Sequence, residues 1–357
     1  MEYINFEHNE TAAELVRAAY DTPPLAFVHS YGCQQNVNDG ERIKGVLVDI
    51  GYGLCDKPED ADLILFNTCA VREHAEDRVF GNVGALKSYK AEHPDTVIAL
   101  GGGSAIDSAK AIREFASRVG GLDNIALIAV PTTSGTGSEV TPISVLTIHA
   151  KRTKSSIPHR IFPQYALVDG KYLASAPKKI LVNTSVDSLG HLIESHINLG
   201  ASPFSRMISE YGMALWKDVK PALLSDHVTD EDRDRMMLTS TLAGMAITHA
   251  GTTLPHGLSY FLTYEMHIPH GQAVGYFQPG YVAAAAPETQ AKVLELIGCK
   301  NIAEFTNLIH TLLGPLEIAP DMVDTAIKGI MANERKLKPV PYEVTEETLR
   351  KFFEMAM

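Results

Sequence analysis

The chain has 357 residues, of which 45% are hydrophobic and 21% are charged, and its formal net charge at pH 7 is −12. This length allows two domains with hydrophobic cores of their own, and the composition excludes a disordered chain. The negative charge and the absence of a Lys/Arg run argue against a nucleic-acid partner, and no apolar stretch approaches the ~18 residues of a membrane-spanning helix.

The N-terminal segment and the cysteines predict a cytoplasmic location. The first residues, MEYINFEHNETAAELVRAAY, are mixed and acidic and do not have the pattern of a signal peptide. The cysteines are too few and too scattered for a disulfide scaffold: Cys33, Cys55, Cys69 and Cys299. A reducing compartment is therefore expected.

Strand and helix patterns alternate along the first half of the chain. After an expected N-terminal helix, the sequence predicts strands at residues 25–30, 63–67, 96–100 and 125–130, and helices at residues 39–50, 72–90 and 105–119. Such alternation is typical of α/β proteins with a doubly wound, mostly parallel sheet of the Rossmann-like class.

Two loops rich in glycine, serine and threonine follow the third and fourth of these strands. The first contains Gly101, Gly102, Gly103 and Ser104 and continues into a helix with Asp107; the second contains Thr132, Thr133, Thr136 and Ser138. Backbone N–H groups at a glycine-rich strand end can approach a phosphate, and the start of a helix favours its negative charge. Because adjacent parallel strand ends share one crevice, the two loops predict a cofactor site. The alternative is that the glycines serve only tight turns.

Amphipathic helical patterns replace the β pattern from about residue 174 onward, as in residues 205–224, 232–251 and 344–357. The change falls in the segment 163–179, which is rich in prolines and turns. We therefore expect an α/β domain over residues 1–173 and an all-α domain over residues 174–357.

Four residues of the second half predict a metal site. Asp187 and His191 lie four residues apart in an apolar helical run, which places a carboxylate and an imidazole on one helix face. His256 and His270 follow in the segment HGLSYFLTYEMHIPHG. Three imidazoles and one carboxylate suit Fe(II) or Zn(II) better than Mg or Ca. The alternative is four unrelated polar residues.

The segments GGGSAIDSAKAI, VPTTSGTGSEVT, DSLGH and PHGQAVGYF occur in the order found in the iron-containing (group III) alcohol dehydrogenases, which residues 95–357 closely resemble. The resemblance implies an NAD- or NADP-binding domain followed by a helical metal-binding domain. It implies that the metal ligands are Asp187, His191, His256 and His270. It also implies a cofactor site: Gly102, Gly103 and Ser104 at the pyrophosphate, Thr132, Thr133 and Thr141 near the nicotinamide, and Lys154 at a ribose hydroxyl, with Gly101, Asp107, Thr136 and Ser138 beside them.

One position departs from the family pattern. Many members carry a histidine four residues after the third ligand, which the resemblance casts as a proton relay, and this chain has Tyr260 there. A tyrosine with an ordinary pKa of about 10 relays protons poorly near neutrality, so His267 is a second catalytic candidate. The alternative places both at the rim of a cleft. Glu194, seven residues after Asp187, is expected on a solvated helix face rather than as a partner of a metal ligand.

Residues 1–95 do not follow the dehydrogenase pattern. The segments YGCQQN and NTCAV resemble the N-terminal domain of the radical-SAM tRNA methylthiotransferases, which holds an iron–sulfur cluster with three cysteines. Cys33 and Cys69 match the first two, and Gly103 stands near the third. Two thiols do not hold a cluster well, and the radical-SAM cysteine triplet is absent from the sequence. A natural fusion, an engineered chimera and a recombined reading frame are all compatible with this pattern.

These features favour a metal-dependent oxidoreductase that transfers a hydride between a small alcohol and a nicotinamide cofactor, with an alcohol or aldehyde as its small-molecule partner. The replaced segment would have supplied the adenosine contacts, and one or two lost hydrogen bonds weaken cofactor binding by about 5- to 150-fold. The alternative is a non-catalytic metal-binding hybrid with impaired cofactor binding. An iron–sulfur protein related to RNA modification is disfavoured by the missing cysteines. A homodimer is compatible with the sequence, which leaves the oligomeric state open.

Overall fold

The structure is a computed structural model, and it describes residues 16, 20, 22–31, 34–49, 51–57, 60–68, 97–101, 103–120, 127–148, 153–225 and 227–357. The expected helix at residues 72–90, most of the expected N-terminal helix, Gly102, Cys33 and Cys69 lie outside these residues. Contacts divide the chain into two units. The first comprises Met1–Pro131 and Ile157–Leu167, and the second comprises Thr132–Ser156 and Val168–Met357.

A parallel sheet forms the centre of the first unit. The strands described along the chain are β1 (Leu25–Tyr31), β2 (Gly53–Leu54), β3 (Leu63–Thr68), β4 (Val97–Gly101), β5 (Leu127–Val130), β6 (Val145–Ile148), β7 (Thr153–Ser156) and β8 (Tyr165–Ala166). Six of them pair in parallel in the order β2-β1-β3-β4-β5-β8. This confirms the predicted α/β fold, and the four predicted strands correspond to β1, β3, β4 and β5. The short strands β2 and β8 were not predicted.

Two described helices, α1 (Gln34–Asp49) and α2 (Gly103–Gly120), pack against this sheet. The buried residues Ala105, Ile106 and Ala109 recur at helical spacing, so α2 presents one apolar face. The strand order reverses between β1 and β3. In parallel sheets, ligands bind outside the carboxyl ends of the strands near such a reversal.

The second unit is built mainly from helices, as predicted. Its helices are α3 (Lys178–Ile197), α4 (Pro203–Leu224), α5 (Asp230–Ala250), α6 (Leu254–Met266), α7 (His270–Ala283), α8 (Pro287–Ile297), α9 (Ile302–Leu313), α10 (Pro320–Met331), α11 (Glu334–Leu337) and α12 (Glu346–Ala356). Strands β6 and β7 form an antiparallel pair in the same unit. Local sequence sets several helix starts: Ser202 and Thr229 each form a capping box at the start of α4 and α5.

Helix α3 lies at the centre of the second unit. Sixteen of its twenty residues are buried, and it contacts α4, α5 and α7. A helix buried on nearly all sides cannot leave polar side chains to water. Its buried Asp187, His191 and Glu194 must therefore find partners inside the protein.

Residues 132–156 group with the helical unit, whereas the sequence-based division at residue 173 placed them with the sheet. The physical reason is a close backbone contact. Gly137 has a left-handed φ of 59°, and a Cβ atom on Gly244 of α5 would lie 2.5 Å from the Gly137 carbonyl oxygen. In addition, Thr241 Oγ1 donates a 3.0 Å hydrogen bond to Glu139 Oε1. The loop is thus attached to α5.

None of the helices in the described part of the chain combines the length and the apolar character needed to cross a bilayer.

The contact between Gly137 and Gly244 can be tested by adding a methyl group. We expect Gly244→Ala to lower the free energy of unfolding by about 1–3 kcal/mol, because the new Cβ meets backbone atoms that cannot rotate away. Thermal unfolding measures the change. Gly329→Ala in α10 is the matched control: its Cβ meets nothing within 4 Å, so up to about 1 kcal/mol of stabilisation is expected. An unchanged Tm for Gly244→Ala would contradict the packing of this loop.

Candidate metal centre

The four predicted ligands come from three helices of the second unit. Asp187 and His191 lie one turn apart on α3, His256 lies in the first turn of α6, and His270 is the first residue of α7. The N-terminus of a helix carries partial positive charge, which disfavours a protonated imidazole there. At His270 the helix N-terminus therefore favours the neutral imidazole that a metal ion requires.

Three of the four residues direct their ligand atoms to one place. Asp187 Oδ1 lies 3.6 Å from His256 Nε2 and 3.7 Å from His270 Nε2. The ligand atoms of these three residues all lie within 4.8 Å of one another. The fourth, His191, lies outside that group, but its ring stacks on the His256 ring with centroids 4.4 Å apart. The structure thus places all four predicted residues side by side.

Two of these atoms are buried without a hydrogen bond. Asp187 Oδ1 and His256 Nε2 find no hydrogen-bond partner among the described residues, and their separation of 3.6 Å is too long for a hydrogen bond between them. Facing lone pairs in a buried position are unfavourable unless a cation is shared between them. One carboxylate and several imidazoles form a donor set that fits Fe(II) or Zn(II).

Hydrogen bonds from the opposite ring nitrogen orient the buried histidines. His191 Nδ1 lies 3.2 Å from the carbonyl oxygen of Gly135, which can only accept. His256 Nδ1 lies 2.5 Å from Glu194 Oε1. Both Nδ1 atoms are therefore donors, and in the neutral imidazole the Nε2 lone pair is left for a metal ion.

A weaker contact orients His270 in the same way. Ser259 Oγ donates a 2.8 Å hydrogen bond to the His256 carbonyl oxygen. Its lone pairs face His270 Nδ1 at 3.4 Å, so this nitrogen can donate to the serine. His270 Nε2 then faces Asp187 Oδ1 with its lone pair.

Glu194 is not on a solvated helix face, and that expectation was wrong. The residue is fully buried. Besides His256 Nδ1, its carboxylate accepts hydrogen bonds from Thr253 N at 2.6 Å and from Gln278 Nε2 at 3.0 Å. The seven-residue spacing from Asp187 is two helical turns, so the sequence already placed both carboxylates on one face. The burial of α3 on its other sides was not visible in the sequence.

Burial and charge shift the acid–base properties of these groups in opposite directions. Burial would raise the pKa of Glu194, but His256 and the Thr253 N–H hold it at about 2. Burial would lower the pKa of His256, but Glu194 and Asp187 raise it to about 9. His191 has a pKa lowered to about 4 by burial, which Asp187 only partly offsets. The facing imidazoles also hold the pKa of Asp187 below its ordinary value despite its burial.

The two catalytic candidates lie at different places on α6. The Tyr260 ring stacks on the His270 ring with centroids 5.9 Å apart and an interplanar angle of 15°, and Lys336 Nζ lies 5.6 Å from the Tyr260 centroid. His267 is exposed and ends α6 with a left-handed φ of 55°. Tyr260 is thus beside a candidate ligand, whereas the backbone position of His267 serves the turn into α7.

The first predicted cofactor loop belongs to the sheet unit. Gly101 is the last residue of β4 and pairs with Val130 of β5. Gly103 and Ser104 begin α2. Asp107 Oδ1 lies 3.5 Å from Nζ of Lys110, whose side chain is fully buried, so this carboxylate is engaged in an ion pair.

The second predicted loop belongs to the helical unit. Thr132, Ser138 and Thr141 are buried. The hydroxyl of Thr136 accepts a hydrogen bond from Ser138 N at 3.3 Å, and Thr141 N closes the 3-10 helix Ser138–Val140. Thr133 is half-buried. Lys154 lies in β7 opposite Thr147, and its side chain is outside the described part of the chain.

Two models of one protein family match the chain. That of iron-containing alcohol dehydrogenase matches residues 74–170, and that of the C-terminal part of the Fe-containing alcohol dehydrogenase family matches residues 181–336. A third model, of an uncharacterized protein family (UPF0004), matches residues 26–120. It overlaps the iron-containing alcohol dehydrogenase match over residues 74–120, so the dehydrogenase pattern begins earlier than the expected residue 95.

Alcohol dehydrogenases are also found among the curated relatives and the solved structures that the chain resembles. The chain is 36% identical to 1-propanol dehydrogenase of Citrobacter freundii over 192 residues, which are 54% of this chain and 52% of that protein. It is 28% identical to the NAD-dependent methanol dehydrogenase of Bacillus methanolicus over 288 residues, 76% of this chain and 71% of that protein. The match thus spans about half the length of the 1-propanol dehydrogenase. An iron-containing alcohol dehydrogenase structure from Thermotoga maritima has a TM-score of 0.75 at 26% identity, covering 97% of this chain and 96% of that chain.

The hydrogen bond from His256 to Glu194 predicts an effect on metal affinity. We expect Glu194→Gln to weaken Zn(II) binding by about 10- to 100-fold, because the neutral amide oxygen accepts the Nδ1 hydrogen of His256 more weakly and no longer raises the basicity of this imidazole. Competition with a chromophoric chelator measures the affinity. Glu210→Gln, a partly exposed glutamate on α4, is the control and should leave the affinity unchanged. Equal affinities for both variants would contradict the role of Glu194.

The raised pKa of His256 predicts a pH effect on the metal-free protein. This pKa is about 9 in the folded state against an ordinary 6.5. The group therefore stabilises the fold fully below pH 6.5, and its contribution is lost as the pH rises through 9. We expect the Tm of chelator-treated protein to fall over this interval. His256→Asn should abolish most of the fall, and Zn(II) should do so too, because the metal replaces the proton. A Tm that stays constant in the metal-free protein would contradict this prediction.

Proposed function

The chain belongs to the iron-containing alcohol dehydrogenase family, and from this membership we propose that it catalyses metal-dependent hydride transfer between a small alcohol and a nicotinamide dinucleotide. One observation carries the metal dependence: the buried, unpartnered atoms Asp187 Oδ1 and His256 Nε2 face each other at 3.6 Å. A metal ion would satisfy both atoms in place of a proton on His256, and the family supplies the reaction in which such an ion is used.

We propose that Asp187, His191, His256 and His270 hold Fe(II) or Zn(II). The chemistry that such an ion supplies when bound is Lewis-acid polarisation of the substrate oxygen. Around it, Glu194 keeps the Nδ1 proton on His256, and Gly135 does the same for His191. These contacts hold the rings in place before substrate arrives, so little reorganisation is needed during the reaction.

The burial of the ligands supports one direction of substrate approach. Asp187, His191 and His256 are buried, whereas 28% of the His270 side chain is exposed. Tyr260 stacks on His270 at this open side. We therefore assign Tyr260 the role of orienting the alcohol hydroxyl by a hydrogen bond, and the hydroxyl proton would leave to water there. His267, at the end of the same helix, is the second candidate for accepting it.

For the cofactor, the strand end at Gly101 and the start of α2 at Gly103 and Ser104 would provide backbone N–H groups suited to a pyrophosphate. The nicotinamide half would contact Thr132, Thr133 and Thr141, and a ribose hydroxyl would contact Lys154. The two loops would be supported by Asp107, Thr136 and Ser138.

We propose NAD rather than NADP, because a relative with 71% coverage is named as NAD-dependent. Small primary alcohols are the proposed substrates, since the relatives named above act on 1-propanol and methanol.

The alternative is a metal-binding protein without catalytic turnover. The match of residues 26–120 to an uncharacterized family supports it, because this segment replaces the part from which a dehydrogenase draws its adenosine contacts. The two functions differ in one property: only the dehydrogenase binds a dinucleotide.

Cofactor binding is therefore the first test of the proposal. Zn(II)- or Fe(II)-loaded protein is titrated with NADH and, separately, with NADPH, and the nicotinamide fluorescence is followed. We expect saturable binding of NADH, followed by NADH formation when methanol, ethanol or 1-propanol is added with NAD. Retained metal without binding of either dinucleotide would exclude the dehydrogenase and leave the metal-binding hybrid.

A ligand variant tests the metal step. We expect Asp187→Asn to lower the bound metal well below one equivalent and the rate of alcohol oxidation by about 100-fold or more, because it removes the carboxylate of the donor set. Metal analysis and initial rates provide the two measurements. His249→Ala removes an exposed histidine of α5 and should change neither. Full activity of Asp187→Asn with no bound metal would rule out the proposed mechanism.

A further inference from the structure

A half-buried lysine lies beside the candidate metal centre and has no role in the function proposed above. Lys336 belongs to the short helix α11, which contacts α6. Its Nζ lies 5.6 Å from the centre of the Tyr260 ring. The same ring stacks on the ring of the partly exposed His270, with centroids 5.9 Å apart. The ammonium is therefore within one aromatic ring of a candidate metal ligand.

Contacts with the start of α6 hold Lys336 in this position. Its Nζ donates a 2.6 Å hydrogen bond to Thr252 Oγ1, and the carbonyl oxygen of the same threonine lies 3.5 Å away. The aliphatic stem packs on Gly257, where a Cβ atom would lie 3.2 Å from Lys336 Cγ. Because both the stem and the ammonium are already held, little side-chain entropy is lost when a ligand binds to this group.

The charge of Lys336 has no carboxylate partner. Among the residues that the structure describes, its side chain hydrogen-bonds only to Thr252 and forms no ion pair. An ammonium has three N–H groups, so at least one is left for a further acceptor. The nearby carboxylate of Glu194 is already engaged, because three other residues donate hydrogen bonds to it.

The surroundings of Lys336 favour a bound anion. Burial lowers its pKa to about 8, Glu194 opposes this shift, and the cationic Arg335 adds to it. At pH 7 the amine is therefore still mostly protonated. A partly buried cation without a counter-ion is unfavourable, and an anion bound to it would compensate the charge.

We propose that Lys336 is a specificity-determining residue that binds the carboxylate of a short ω-hydroxycarboxylate, whose hydroxyl end lies at the metal centre and Tyr260. The inference rests on the proposed dehydrogenase function and narrows its substrates to primary alcohols that carry a carboxylate at the other end of the chain. In the reaction, the carbinol C–H bond breaks and its hydride passes to NAD. The hydroxyl proton passes to water, an aldehyde forms, and the carboxylate is unchanged.

A comparison of matched substrates tests the proposal on the metal-loaded protein with NAD. 4-Hydroxybutyrate and 1-butanol differ only in a carboxylate that replaces a methyl group. We expect a higher kcat/KM for 4-hydroxybutyrate, mainly through a lower KM, because the ammonium binds the carboxylate equally in the ground state and the transition state. 3-Hydroxypropionate and 5-hydroxypentanoate test the chain length.

The failure of this inference differs from the failure of the proposed function. Oxidation of 1-butanol without a preference for any of the three hydroxycarboxylates would overturn the role of Lys336 and leave the dehydrogenase. If no alcohol is oxidised, the dehydrogenase and the inference that rests on it are both refuted.

Variants assign the preference to one side chain. We expect Lys336→Met to lower the ratio of kcat/KM for 4-hydroxybutyrate to that for 1-butanol by about 10- to 100-fold, and Lys336→Arg, which keeps a cation, to restore most of it. Lys338→Met removes an exposed lysine two residues further on and should leave the ratio unchanged. Because each ratio is measured within one preparation, a partial loss of folded protein does not alter it. Equal ratios for wild type and Lys336→Met would refute the assignment.

Protection from acetylation provides a readout that needs no turnover. Zn(II)-loaded protein without NAD is treated with an acetylating reagent at pH 8, where about half of the Lys336 amine is unprotonated, and the peptides are quantified by mass spectrometry. We expect 4-hydroxybutyrate to protect Lys336 but not Lys338, and 1-butanol to protect neither. Protection of Lys336 by NADH alone would assign its charge to a cofactor phosphate and would overturn the substrate proposal.

Discussion

The structure of the helical unit depends on one buried interaction: His256 is held between two carboxylates. Glu194 accepts the Nδ1 hydrogen at 2.5 Å, and Asp187 Oδ1 faces Nε2 at 3.6 Å without a hydrogen bond. Two buried carboxylates on one helix face would repel each other strongly in a medium of low polarity. Imidazoles from two further helices face these carboxylates and compensate part of their charge. Helices α3, α6 and α7 are therefore tied to each other by electrostatics as well as by packing.

This constraint explains why the neighbouring positions are so tightly packed. Gly271 lies against the Asn183 carbonyl oxygen, and only a residue without a side chain lets α7 begin at this distance from α3. His270, the preceding residue, is thereby brought to Asp187.

The sheet unit and the helical unit differ in how strongly packing restricts the residues at each position. In the sheet unit, the parallel order from β2 to β8 requires only apolar strands and connections of the correct hand. This explains how residues that match an uncharacterized family at 26–120 and a dehydrogenase family at 74–170 share one sheet. In the helical unit, α3 is buried along most of its length, and a single changed side chain alters several contacts. The candidate metal centre therefore lies where a substitution disturbs several packed neighbours.

Three features could be predicted from the residues alone: the alternation of strands and helices, the change to helices in the second half, and the side-by-side placement of Asp187 and His191. Each of these follows from periodicity, which is local. It missed the short edge strands β2 and β8, because two-residue strands have no period. It also misplaced Glu194, because the seven-residue spacing shows which residues share a helix face but not whether water reaches that face. The packing of α4, α5 and α7 around α3 is a long-range property of the fold. It excludes water from this face, so Glu194 becomes a hydrogen-bond partner of His256.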